Sequence, residues 1–331
     1  MPGLPVIADG ALDPGLLPEF VKTYQVKTRN LNAKLGGIMR LDVPSDKITE
    51  KYVYPESSPI PRRWPRGENV PSMNFKFVQF SVTNVDWAIS VPWFYNDLSD
   101  DQSKALMSTV RGVAERFVQL TERVFFQYVT GGSDPALLAA LANAPDGAAL
   151  FAATDGASAN RFGISGGNLL ASGVLSGVAS GKAVRTDRFK SRNARFARFQ
   201  DTVSQPLAEA YLDDGEIAFF APDLEEQFLE AFSQNPTAGN TSGEGSVQNV
   251  IKTAPTLVPT QRITGNAWFH GLTGMEQKAL MQQNREPMKT LEARRENSDS
   301  ARRTKIEEMQ FESRFTIAAL LPFMFNKLNN T

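Results

Sequence analysis

The sequence predicts an α+β chain of two lobes. Three observations carry this. A stretch of about twenty residues with strand character, Phe75–Trp93, feeds a helix pattern of about thirty. Strand patterns return at Glu216–Ala221 and Phe311–Leu321, with shorter helices between them. A chain of 331 residues, 41% apolar and 21% charged, can also bury a substantial core. A long strand leading into a long amphipathic helix, with no catalytic inventory beside it, suggests a structural chain that contacts copies of itself.

Residues 1–45 carry scattered prolines and a mixed-charge stretch, with one short helix expected near Leu16–Val26. They read as an arm ordered by its neighbours. Residues 46–74 are polar and rich in proline, which favours an extended excursion over packed helix. From Val85 the strand alternates: Val85, Trp87, Ile89, Val91 and Trp93 share one face. The preceding Phe75–Val82 is apolar on both faces, as in a strand covered on both sides or covered by a neighbouring subunit. Thr83-Asn84 is either a turn or a continuation.

The long helix is expected over Ser99–Thr130. Ser99 and Gln102 fit a capping box, with Asp100 and Asp101 at the positive end of the dipole. Leu106, Val110, Val113, Phe117, Leu120, Val124 and Tyr128 recur every three or four residues, and Gly131-Gly132 supplies a left-handed cap. At 1.5 Å per residue the element is roughly 45 Å long, a spine rather than a filler.

Residues 133–181 are poor in charge, with a short helix expected near Pro135–Asn143. A basic run follows: Lys182, Arg185, Arg188, Lys190, Arg192, Arg195 and Arg198 against Asp187, with Phe189, Phe196, Phe199 and Val203 near one helical face. Beyond it come a buried strand at Glu216–Ala221, a helix at Asp223–Gln234, strand-like pieces at Val247–Val258 and Asn266–Phe269, and a short helix at Gly274–Asn284. A charged stretch from Arg285 to Glu308 precedes the closing strand.

Composition excludes several chemistries. A net charge of −1 does not mark a dedicated nucleic-acid binder. The absence of cysteine rules out disulfides, thiolate catalysis and cysteine-ligated zinc or iron–sulfur sites. Met1–Pro5 lacks the order of a signal peptide, and Phe315–Phe325, broken by Pro322, falls short of the roughly twenty residues a membrane span needs. The expectation is a soluble, non-exported chain without membrane partners.

No motif survives as a catalytic, cofactor or metal site. His270 is the sole histidine, no Gly-x-Ser-x-Gly elbow accompanies it, and beside Trp268 and Phe269 it reads as structural. Gly177–Ala183 resembles a phosphate loop, but Ser176 and Ala183 stand where glycine and a hydroxyl are required. Asp97, Asp100 and Asp101 lack the glycine and terminal glutamate of a calcium loop. The 182–198 run fits either an amphipathic helix whose arginines meet acidic neighbours or a surface for phosphate backbones. Arg62, Arg63, Trp64 and Arg66, set between prolines, need carboxylates or aromatic faces as partners.

Motif order then points to a family. Arg62–Gly67 (Arg-Arg-Trp-x-Arg-Gly), Phe80–Val91 (Phe-x-x-Thr-Asn-x-x-Trp-x-x-x-Val) and Asn96–Gln102 come first. Glu115-Arg116, Ala149-Leu150-Phe151 with Asp155-Gly156, Asn168-Leu169, Ala221–Glu225 and Glu312–Phe315 follow in order. The chain, over about 50–331, resembles the Mu-like major head subunit family of tailed phages. Where relatives tend to carry a histidine after the Leu-Phe segment, it has Thr154-Asp155.

The resemblance implies the Hong Kong-97 type capsid fold: an N-terminal arm (1–45), an extended β loop (46–80), a peripheral domain (81–165 and 301–323) with the spine helix 99–130, and an axial domain (166–300 and 324–331). It implies a major capsid protein whose hexamers and pentamers close an icosahedral virion shell around double-stranded DNA, held non-specifically, after assembly in the host bacterial cytoplasm. Portal, scaffold and an optional decoration protein are the implied partners, the scaffold expected as a separate protein because no charged helical region precedes the arm. Arg62, Arg63, Trp64 and Arg66, with Asp97, Asp100 and Asp101, are the expected intersubunit contacts. An encapsulin-like shell around a cargo enzyme is the alternative within the same fold. From other classes, a hydrolase using His270 and a nucleic-acid module built on 182–198 compete.

Overall fold

A computed structural model describes residues 6–7, 17–57, 63, 69, 76–94, 105–132, 144–154, 160–174, 181–202, 204–232, 254–274, 276–291 and 306–329. The chain divides into two compact units. Unit 1 comprises Met1–Lys51, Ser81–Ala142 and Met281–Ala318, and unit 2 comprises Tyr52–Phe80, Asn143–Leu280 and Ala319–Thr331. These divisions fall after Ala142, Leu280 and Ala318, where the sequence reading sets 165, 300 and 323.

In unit 1 a sheet runs in the order β1 (Val6–Ile7), β10 (Leu280–Leu291), β11 (Ile306–Ala319), β5 (Val85–Phe94), with β2 (Met39–Pro44) also paired to β10. Strands β11 and β5 are antiparallel from Ile306↔Phe94 to Phe315↔Val85. Trp87 locks that register: its indole nitrogen donates to the Phe315 carbonyl at 3.1 Å and its ring lies 5.6 Å from that of Phe315.

The spine helix, α2 (Ala105–Thr130), has the expected phase. Val113, Phe117, Val124 and Tyr128 are buried, Leu120 is half-buried, and Phe117 faces Phe311 at 6.3 Å. Gly131, with φ +69°, ends it by donating to the Gln127 carbonyl, the left-handed cap the sequence predicts. The capping box at Ser99 and Gln102, and the side chains of Leu106 and Val110, lie outside the described residues.

Helix α1 (Leu17–Leu35) runs to 19 residues, well past the short helix expected at Leu16–Val26. It packs on α2 through Leu31 and Leu35 and through ion pairs Lys27–Glu115 (3.0 Å) and Lys34–Glu122 (2.6 Å). Its second half is polar on the outer face, so the apolar stripe thins out and the sequence reading stops early.

One expectation is overturned here. Residues 280–284, placed in a short helix by sequence, begin β10. Ala279–Gln283 is rich in helix formers, but pairing with β11, β1 and β2 outweighs local propensity.

Asn84 settles the Thr83-Asn84 alternative as a joint between β4 (Lys76–Thr83) and β5. Its buried side chain donates to Ser45 Oγ (3.2 Å) and the Lys47 carbonyl (3.1 Å). Strand β4 pairs with β3 (Thr49–Ser57) as a two-stranded ribbon.

In unit 2 the strand order is β6 (Leu169–Ala171), β12 (Phe325–Asn329), β9 (Trp268–Leu272), β7 (Glu216–Phe220), β8 (Thr256–Pro259). Every residue of β7 and β9 is buried. Helices α3 (Gly181–Phe189) and α4 (Glu225–Phe232) pack on the core, where Phe228 stacks on Phe220 at 3.9 Å and meets Trp268 edge-on. Gly181 permits the close crossing: a Cβ there would lie 2.5 Å from the Ala231 nitrogen. The helix expected near Pro135–Asn143 and the strand-like residues 247–253 lie outside the described residues.

Phe117→Ala is expected to cost about 3–5 kcal/mol in denaturant unfolding, because a buried ring leaves a cavity against Phe311. The loss should appear in the isolated subunit, with no defect specific to assembly.

Candidate intersubunit site

Of the residues expected to meet neighbouring subunits, Arg63 is exposed. Arg62, Trp64, Arg66, Asp97, Asp100 and Asp101 lie outside the described residues. The β3–β4 ribbon carries exposed apolar residues. Tyr52 stacks on Phe80 at 5.7 Å and Val82 is buried, but Val53 and Phe77 are each 56% exposed.

The basic run folds as α3, a π turn at Lys190–Arg195 and a short 3-10 turn at Phe196–Arg198. Phe196 and Phe199 are buried as expected, whereas Phe189 is 67% exposed. The π turn hydrogen-bonds i to i+5 and holds more residues per turn, so Phe189 and Phe196 no longer share a direction. Val203 lies outside the described residues. Several of the cations do meet acids: Arg188 pairs with Glu216 (2.7 Å), Lys190 with Asp187 (3.4 Å), and Arg192 with Glu216 (3.2 Å) and Asp213.

Glu216, at the start of β7, is the centre of a buried polar network that the sequence reading missed. Its Oε2 lies 2.9 Å from His270 Nε2, and His270 Nδ1 lies 2.8 Å from Ser191 Oγ. Asn326 Nδ2 donates to the same Ser191 oxygen at 2.9 Å. With the carboxylate accepting, His270 donates from Nε2, and its Nδ1 meets the Ser191 hydroxyl. Burial pushes the Glu216 carboxyl up, but the hydrogen bonds and charges of His270 and Arg188 outweigh it and hold the pKa at about 2.

Serine, histidine and glutamate thus stand in the order of a hydrolytic triad. Ser191 and His270 have no access to solvent and Glu216 has almost none. A substrate carbonyl would have to displace Asn326 from the serine, and the carboxylate is already shared with two arginines. The arrangement is a structural tie between α3, the π turn and three neighbouring strands. Among the described residues no group of three or more acidic or histidine side chains is placed to hold a metal ion.

The sign of the pH dependence follows from Glu216. Its folded pKa is about 2 against an ordinary 4.5, so its contribution is complete above about pH 4.5 and is lost as pH falls towards 2. The shift is worth on the order of 3 kcal/mol. Glu216→Gln should lose about 3 kcal/mol at pH 7, by leaving the half-buried Arg188 without its carboxylate. Unfolding curves at pH 7 and pH 3 should show the wild type losing more stability than the variant between them.

No family model and no curated protein matches the chain. Solved structures do. A structure described as Microbacterium phage Oxtober96 aligns with TM-score 0.55 at 15% identity over 90% of this chain and 91% of that one. The mature capsid of bacteriophage PhiM1 aligns with TM-score 0.55 at 11% identity, covering 89% and 86%. The capsid of a native GTA particle aligns with TM-score 0.58 at 8% identity, covering 91% and 90%. At such identities the likeness speaks for the fold, and the fold is the Hong Kong-97 type shared by the major capsid proteins of tailed phages.

Proposed function

We propose that this chain is the major capsid protein of a tailed bacteriophage, of the Mu-like group. Copies assemble in the host cytoplasm into hexamers and pentamers of an icosahedral shell that encloses double-stranded DNA, with portal, scaffold and an optional decoration protein as partners. The observation that carries this reading is the alignment over about nine-tenths of both chains with capsid subunits. The ordered head-subunit motifs, and a ribbon whose Val53 is 56% exposed, support it.

In this reading residues 1–45 are the arm, 46–80 the extended loop, 81–165 and 301–323 the peripheral domain around its spine helix, and 166–300 and 324–331 the axial domain. The chain is a structural protein and not an enzyme, and its buried histidine network serves the fold. Arg62, Arg63, Trp64 and Arg66 contact a neighbouring subunit, with Asp97, Asp100 and Asp101 as carboxylate partners. Charge-assisted pairs desolvated at an interface couple by roughly 1.5–7 kcal/mol, enough for a few of them to decide assembly. Shell closure then multiplies weak, non-specific contacts with DNA over many copies.

Electron microscopy of the purified protein should show closed shells, and nuclease-protected DNA inside them should distinguish a phage head from a cargo compartment. Replacing Arg62, Arg63 and Arg66 together with alanine should leave a folded subunit that assembles poorly. Normal shells from that variant would refute the arginine assignment without touching the rest.

A further inference from the structure

The basic run does not spend all of its charge on Glu216, Asp187 and Asp213. Lys190, Arg195 and Arg198 line an open concavity of about 560 Å³ whose floor includes Ile164, Leu170 and Ala194. Arg195 donates to the carbonyls of Ser165 (2.7 Å) and Leu169 (3.4 Å) and meets no carboxylate, and its Nε is buried without a partner. Burial pushes its guanidinium pKa down, as expected of a charge held without a counter-ion. Arg198 is exposed with no ion pair among the described residues, and Lys190 has only Asp187. Three cations over an apolar floor suit an acidic ridge that also carries an aliphatic side chain. A bare phosphodiester would leave the floor uncovered.

The chain presents such a ridge on α4. Glu225 and Glu226 are exposed and unpaired among the described residues, and Leu229 is 54% exposed. Glu225 and Leu229 stand four residues apart and so share one helix face. The first-turn position of the two acids also suits the helix dipole, but that does not account for an open leucine beside them. Ridge and concavity have no residue in common and carry opposite charge. A contact of that kind between copies is heterologous, and repeated by rotation it closes rings.

We infer that the concavity lined by Lys190, Arg195 and Arg198 receives the Glu225–Glu226–Leu229 ridge of a second copy of this chain. The inference rests on the self-assembly proposed above and assigns it one specific contact. Rim charges act mainly on association rate and salt dependence, so that is where the contact should be read.

The test is a charge swap. Lys190→Glu with Arg198→Glu changes exposed residues only and leaves Arg195 and the Glu216 network in place. Glu225→Lys with Glu226→Lys reverses the ridge, and Glu225→Gln with Glu226→Gln removes its charge at less cost to the helix. Each pair alone should slow self-association, followed by light scattering and sedimentation, by roughly tenfold at low salt and less at high salt. Both reversals in one chain should restore it, with unfolding midpoints reporting an intact fold throughout. Unchanged association in the single pairs, or no recovery in the swap, overturns the inference. So does loss of duplex-DNA binding in the Lys190/Arg198 variant while association stays normal, which would make the concavity a phosphate site. If the wild type forms no shells but the swap still governs its association, the contact stands and the head reading falls.

Discussion

The carboxylate of Glu216 is the constraint on which unit 2 depends. It stands at the start of β7 with almost no access to water, an arrangement that is costly unless its oxygens accept hydrogen bonds. Arg188, Arg192 and His270 supply them, and through His270 the demand passes to Ser191 and Asn326. Three neighbouring strands, β7, β9 and β12, each contribute one polar side chain facing the π turn. That turn aims Ser191 inward, and its wider spacing sends Phe189 outward. One buried charge therefore fixes the seating of the basic run on the sheet and leaves Lys190, Arg195 and Arg198 together at the surface.

A second buried charge organises the loops of the same unit. Arg161 is fully enclosed and binds Asp146 through two parallel hydrogen bonds of 2.7 and 2.9 Å. Its Nη1 donates to the carbonyls of Ala149 and Leu150 and to Asn168 Oδ1. Asn168 in turn donates to the carbonyls of Leu150, Pro322 and Phe325. Gly167 lets the chain pass beneath, since a Cβ there would lie 2.2 Å from the Ala152 carbonyl oxygen. Ala149-Leu150-Phe151 and Asn168-Leu169 are thus junction residues, where carbonyls that no strand or helix satisfies find their donors. Glu312–Phe315 lies instead within the paired strand β11, where Arg314 meets Asp86 and Glu286, and Glu312 meets Lys289.

What could be read from sequence was what depends on local periodicity. The phase of α2, its glycine cap, the buried β7 and the helix that opens at Pro222 all follow from spacing within a few residues. Strand β10 did not, because its state is set by partners far along the chain. Nor did the Glu216 network, whose members are separated by 54 and 79 residues. A signal was nevertheless present: a single glutamate opening an otherwise apolar strand, and a histidine inside Trp268-Phe269-His270, each a buried polar group that must find partners. Of the contact residues predicted from the arginine–tryptophan cluster and the aspartates, only Arg63 lies within the described residues. The exposed Phe77 was legible only as an excess of apolar residues on a strand with two faces to cover, whereas Val53 lies in a segment that reads as polar.

The same division explains how a fold can be shared at 8–15% identity over about nine-tenths of both chains. Cores tolerate wide exchange of apolar residues while volume and patterning are kept. The positions where exchange costs most are few: a joint such as Asn84, a close crossing such as Gly181, and buried charges with their donors. They are scattered through the chain, too sparse to register as sequence similarity. Surfaces between copies have more freedom still, because each must match only another copy of its own chain. A charged concavity and its ridge can therefore change together while the spine helix and the sheets stay in place, and the fold persists where the sequence similarity has faded.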